Sequence, residues 1–179
     1  MAIITRQAVP ADASELHELA AKTFGLATPP GTLQSDIDAF IGEHLSLAAF
    51  DKYLSDPGRI VLLAEDEGRA IGYSMLISGP IADPEVAAVV AAAGPGTSIE
   101  LSKFYVAADN HGSGVAGTLM TATLEAARAT GAQVCWLGVN QLNERAAKFY
   151  SRNGFEIAGT KRFRVGEIWH DDHVRVRPL

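Results

Sequence analysis

The chain predicts a mixed α/β sheet with helices on both faces. Runs rich in β-branched and aromatic residues alternate with amphipathic helical stretches in the order β-α-α-β-β-(short α)-β-α-β-α-β-β. Two of the strand-like runs are joined by Glu67-Gly68-Arg69, a hairpin signal. A string of small residues, His111-Gly112-Ser113-Gly114-Val115-Ala116, separates a strand from a long helix. Such a junction lets backbone N–H groups face outward at the positive end of a helix, an arrangement that suits a pyrophosphate.

Ile3 to Val9 reads as the first strand, closed by Pro10. Asp12 caps a helix to about Phe24, with Leu16, Leu19, Ala20 and Phe24 on one apolar face, and Gly25 to Gly31 breaks it. A second helical region runs from about Gln34 to Leu54, interrupted at His44-Leu45-Ser46 and ended by the turn Asp56-Pro57-Gly58. Arg59 to Asp66 and Ala70 to Ile77 form the hairpin. Gly79 to Thr97 carries a short helix, capped by Asp83 with Pro84 at its first position. This segment reads equally well as a surface insertion or as a flap beside a substrate. Ser98 to Val106 is a strand, Gly117 to Thr130 a helix, Gln133 to Val139 a strand and Asn143 to Asn153 a helix that ends before Gly154. Strands over about Phe155 to Val165 and Ile168 to Arg177 close the chain.

Its length fits one domain over residues 1–179, with a sizeable core. A net charge of -6 argues against general nucleic-acid binding, which needs a basic footprint. A lone cysteine, Cys135, excludes an internal disulfide framework and fits a reducing compartment. No apolar run reaches the roughly 18 residues that span a bilayer, and Met1 to Arg6 lacks the apolar core of a signal peptide. The expectation is a soluble cytoplasmic protein without membrane or nucleic-acid partners.

Three phosphate loops compete for the small-residue string. No Gly-x-x-x-x-Gly-Lys-Ser/Thr string exists. Gly112-Ser113-Gly114-Val115-Ala116-Gly117 has the letters of a dinucleotide fingerprint. However, four strand-like and three helical segments precede it, and the next strand ends in Gly138-Val139-Asn140 without the acidic residue a ribose requires. The string resembles instead the pyrophosphate loop of the GNAT superfamily of N-acetyltransferases, Gln/Arg-x-x-Gly-x-Gly/Ala after the fourth strand, with His111 in place of Gln or Arg. The segment Asn143 to Phe155 is similar to that family's Asn-x-x-Ala-x-x-Phe-Tyr-x-x-x-Gly-Phe block. Within the superfamily the chain most resembles PaiA-like polyamine (spermidine/spermine) acetyltransferases. That likeness rests on Trp136-Leu137-Gly138-Val139, Ile99-Glu100 ahead of Phe104-Tyr105-Val106, the Phe149-Tyr150 block and the Leu45 to Asp56 segment.

The resemblance implies a central, mostly antiparallel sheet whose fourth and fifth strands splay apart to receive acetyl-CoA, with no metal. It implies direct transfer to a small-molecule amine. Such chemistry needs a neutral amine, a polarised carbonyl, a stabilised oxyanion and a proton for the departing thiolate. By resemblance, Tyr150 protonates the thiolate and Glu100 is the general base, directly or through water. The backbone of Phe104, Tyr105 and Val106 pairs with the pantetheine arm, the Val106 amide polarising the thioester. His111, Gly112, Ser113, Gly114, Val115, Ala116 and Gly117 hold the pyrophosphate, and Asn143 bonds a pantetheine amide. Each also has a plainer reading: Tyr150 as a groove tyrosine, Glu100 as an ordinary strand residue, Asn143 as a helix cap. Many relatives pair through their terminal strands, which leaves a homodimer open. A protein or antibiotic amine as acceptor, or a non-catalytic acyl-CoA-binding module, are the alternative functions.

Other chemistry-bearing residues read more simply. Cys135, between Val134 and Trp136, is a core thiol. His170-Asp171-Asp172-His173 has metal-ligand residue types, but reads as a solvated turn in the last hairpin. Asp36, Asp38 and Glu43 read as a solvated helix face, with a cationic-substrate groove as the alternative.

Overall fold

The computed structural model describes residues 2–179. Seven strands form one sheet in the order β1-β2-β3-β4-β5-β7-β6. They are β1 (Ile4–Gln7), β2 (Arg59–Asp66), β3 (Arg69–Ser78), β4 (Ser98–Val106), β5 (Val134–Asn140), β6 (Glu156–Val165) and β7 (Ile168–Pro178). Every pairing is antiparallel except β4 with β5. That parallel contact covers only Ser98↔Val134, Ile99↔Cys135 and Glu100↔Trp136. Beyond it the two strands part, so Leu101 to Val106 has no partner on the β5 side. The splay expected between the fourth and fifth strands is present.

Helices cover both faces. One face carries α1 (Ala13–Ala27), α2 (Gln34–His44), α3 (Leu47–Ser55) and α4 (Pro84–Ala92). The other carries α5 (Val115–Ala129) and α6 (Glu144–Arg152). Leu16, Phe24, Phe50, Tyr73 and Met75 form the core under α1 and α3. Ile99, Leu101, Met120, Leu124, Cys135 and Leu137 form the core under α5.

The first helix does not stop at Phe24 but runs to Ala27. A single glycine costs a helix only about 1 kcal/mol, so Gly25 is tolerated and Pro29-Pro30 makes the stop. The segment 79–97, read equally as a surface insertion or as a flap, packs its short helix onto the sheet. Val86 and Val90 of α4 are buried against Val134, Trp136, Val174 and Val176, sealing a core of their own. The close fit is visible at Gly159, where an added β-carbon would lie 3.0 Å from Val89. The break within the second helical region is real, because the Ser46 hydroxyl accepts the Ala49 amide at 3.1 Å and starts α3.

Candidate active site

The splay between β4 and β5 is an edge of backbone hydrogen-bonding groups held open inside the sheet. Ala107 donates its amide to Ile71 of β3 at 2.8 Å. By strand alternation, the amide and carbonyl of Val106 therefore face the opposite way, into the splay. The Val106 carbonyl accepts a hydrogen bond from His111 Nε2 at 2.8 Å. A carbonyl only accepts, so the imidazole donates from Nε2. The ring folds back to tie the loop to the end of β4, at the position where Gln or Arg was expected.

After His111 the chain turns through Gly112 (φ 81°) and Gly114 (φ 89°), both left-handed, and enters α5. These two positions need glycine because a β-carbon is strained at such φ. The first bond into α5 runs from the Thr118 amide to the Gly114 carbonyl at 3.1 Å. The amides of Val115, Ala116 and Gly117 are thus orphans of the first turn, and no side chain caps them. They point outward beside the splay, where an anionic group is stabilised. Ser113 is turned inward on itself, donating its hydroxyl to the Asn110 carbonyl at 2.6 Å.

Tyr150 of α6 fills the far wall. Its ring stands edge-on to Phe104 of β4 at 6.4 Å and to Phe155 at 5.9 Å, and tilts against Phe149 at 5.6 Å. Burial first, then Tyr105 and Cys135, hold its phenol well above the ordinary tyrosine value. It therefore keeps its proton throughout the working range. Asn143 caps α6, its Oδ1 accepting the Ala146 amide at 3.1 Å, which leaves its Nδ2 as a donor.

Glu100 lies on the opposite face of the sheet, at the point where β4 and β5 separate. Burial raises its carboxyl above the ordinary glutamate range, against the pull of Lys161, Lys103 and Arg59. Burial and Arg59 in turn bring Lys103 down to about 8. Arg59 stacks over the Tyr53 ring at 4.7 Å, and Lys103 reaches the same ring at 5.7 Å. Tyr105 packs on Tyr73 at 5.7 Å, continuing an aromatic wall through Phe50 to Tyr53. The expected site residues thus divide about the sheet. The loop into α5 and the helix α6, with Asn143 and Tyr150, lie on one face, and Glu100 on the other, with the Phe104–Val106 edge between them.

The C-terminal strands add residues whose placement depends on pairing far from them in the chain. The group His170 to His173 is not a turn, since the reversal is at Gly166-Glu167 and all four residues lie within β7. Alternation splits them between faces, which removes the basis for a shared metal; among the described residues no cluster suits a metal ion. Asp172 is buried at 6 % exposure, and burial raises its carboxyl to about 6 against Lys161 and His170. Counting alternation back from Val174 is the signal that would have found it. Cys135 is fully buried with its thiol pushed up to about 12, as suits a core residue and not a nucleophile. Asp36 lies against Gly166 at the β6–β7 tip, whereas Asp38 and Glu43 are exposed.

An open strand edge beside an anion-binding helix start defines a class, the transferases that hold an acyl thioester along a splayed sheet. Residues 16–155 match the profile of the Acetyltransferase (GNAT) family. The chain belongs to that family of N-acetyltransferases, whose donor is acetyl-CoA. It is 44% identical over 168 residues to a Mycobacterium tuberculosis (strain ATCC 25618 / H37Rv) protein named "Uncharacterized N-acetyltransferase Rv2669", covering 94% of this chain and 98% of that one. Its fold is similar to that of the PaiA N-acetyltransferase from Thermoplasma acidophilum in complex with coenzyme A, with TM-score 0.79, 20% identity and all of both chains covered. It also resembles the ribosomal-protein-alanine N-acetyltransferase from Brucella melitensis, with TM-score 0.70 and 26% identity over 98% of this chain and 99% of that one. Both likenesses bear on the fold, and neither specifies the acceptor of this chain. No helix among the described residues is long and apolar enough to cross a membrane.

Proposed function

We propose that the chain transfers the acetyl group of acetyl-CoA directly to a primary amine of a small cationic molecule such as a polyamine. The observation that carries this reading is the unpaired β4 edge, flanked by the orphan amides of α5 on one end and the Tyr150 phenol on the other. The donor supplies an activated acetyl group when bound along that edge. The Val106 amide polarises the thioester carbonyl, and the Phe104–Val106 backbone aligns the pantetheine arm as a strand aligns its neighbour. The free amides of Val115, Ala116 and Gly117 take the pyrophosphate, with His111, Gly112, Ser113 and Gly114 shaping the loop. Asn143 Nδ2 bonds a pantetheine amide. Glu100 accepts the proton of the incoming ammonium, a task for which a raised carboxyl pKa is suited. Tyr150 gives its hydroxyl proton to the departing thiolate.

A small acceptor is favoured over a peptide because the acceptor side is narrowed. Phe40 of α2 stacks edge-on to Phe163 of β6 at 5.8 Å, and Asp36 meets the hairpin tip at Gly166. A peptide lying across the sheet would have to break these contacts. The test is free-thiol release from acetyl-CoA with a panel of polyamines, amino acids, aminoglycosides and peptides. Release that depends on small cationic amines is the expected result. Calorimetric binding of CoA with no turnover on any amine would instead mark a non-catalytic acyl-CoA-binding module.

A further inference from the structure

Four strands of the sheet, β4, β5, β7 and β6, bring one set of charged side chains onto the acceptor face. Glu100 pairs with Trp136, and Trp136 with Val176. Two residues along β5 stands Gly138, and two further Asn140, which pairs with Asp172; Asp172 pairs in turn with Lys161. Successive even positions of a strand share a face. Lys161 confirms the side, since its chain lies over Gly138 and its ammonium is 5.7 Å from the Trp136 ring centre.

Within this set Asp172 is exceptional. Its Oδ1 is buried and has no hydrogen-bond partner, although Lys161 and His170 are near enough to act on its charge. His170 Nε2, on the same face two residues earlier, and the Tyr73 hydroxyl are buried without partners as well. An unmatched carboxylate oxygen is among the costliest groups to bury, and it requires a donor. Asp172 pairs with Asn140, four residues beyond Trp136 on β5, so it stands across the splay from the unpaired part of β4. An anionic ligand, including any phosphate of the donor, is repelled there.

We infer that Asp172 is the anionic anchor of the acceptor pocket, holding an ammonium group of the amine substrate and making a cation preferred over a neutral arylamine. This rests on the acetyltransferase reading above. Glu100 and Asp172 then have separate tasks, Glu100 at the nitrogen that reacts and Asp172 at the positive charge that positions the molecule. Lys161 draws both carboxyls down against the upward push of burial.

The test compares spermidine with a neutral arylamine as acceptors for wild type, Asp172→Asn and Asp172→Glu. The ratio of kcat/KM for spermidine to that for the arylamine should fall by about 30-fold in Asp172→Asn, through KM for the amine, and recover in part in Asp172→Glu. An unchanged ratio, or an equal loss on both acceptors, overturns the proposal. Should Asp172→Asn not fold, a wild-type preference for the arylamine overturns it equally. Absence of turnover by wild type on any amine refutes the acetyltransferase reading instead. Calorimetry of spermidine on the CoA-loaded protein then decides for Asp172, with weaker binding in Asp172→Asn in its favour and equal binding against it.

Discussion

Lys161 of β6 lies across Gly138 of β5, with its Cε only 2.9 Å from where a β-carbon on Gly138 would stand. The missing side chain on β5 is what lets the ammonium act on both Glu100 and Asp172. Both carboxyls are held down by it against the upward push of burial.

Gly138→Ala should therefore alter chemistry more than stability. The atom in the way is the far end of a flexible chain, so the loss of stability should stay below about 1 kcal/mol by denaturant titration. Displacing Lys161 removes a cation from beside both carboxylates. The rising limb of kcat/KM against pH should move to higher pH, and an unmoved limb would separate Lys161 from the site.

His111 makes a structural bond to the Val106 carbonyl, so the donor and not the charge is what matters. His111→Gln, which keeps an N–H donor of similar reach, should bind CoA within about threefold of wild type, whereas His111→Ala should lose about tenfold. Calorimetry reads both. Equal losses would mean that the imidazole itself meets the phosphate.

Tyr150→Phe removes one oxygen from an aromatic nest that otherwise stays packed. Turnover should fall by about two orders of magnitude, the range for loss of a general acid. CoA affinity should hold, because the ring contacts with Phe104, Phe149 and Phe155 remain. Undiminished turnover would remove Tyr150 from proton transfer.

Much of this site was legible in the sequence. The glycine spacing at Gly112 and Gly114 and the Asn143-to-Phe155 block each encode a local backbone need, and local needs survive translation into structure. The residues that escaped depend on distant pairing. Asp172 acquires its burial only because β7 inserts between β5 and β6, and Lys161 its position only because β5 carries glycine at 138. Neither fact is local. The short helix in 79–97 was legible as a helix, but its partners Trp136, Val174 and Val176 lie on strands much later in the chain.

Asp172 also makes stability depend on pH. Its carboxyl is raised from the ordinary aspartate value to about 6, so the folded state binds its proton more tightly than the unfolded chain. That contribution is complete below the unfolded value, near pH 4, and is lost as pH rises through 6. Above that range the ionised carboxylate costs the fold on the order of 3 kcal/mol. Asp172→Asn should accordingly raise Tm at pH 8, with the gain shrinking toward pH 4. A Tm difference that does not vary with pH would show that the carboxylate is satisfied in the fold.

The most direct test of the account is mass spectrometry of products formed from isotopically labelled acetyl-CoA and a mixture of primary amines. With wild type, labelled acetyl should appear on the nitrogen of a small cationic amine, and nearly disappear with Tyr150→Phe. Label that remains in acetyl-CoA, or emerges only as free acetate, would contradict it.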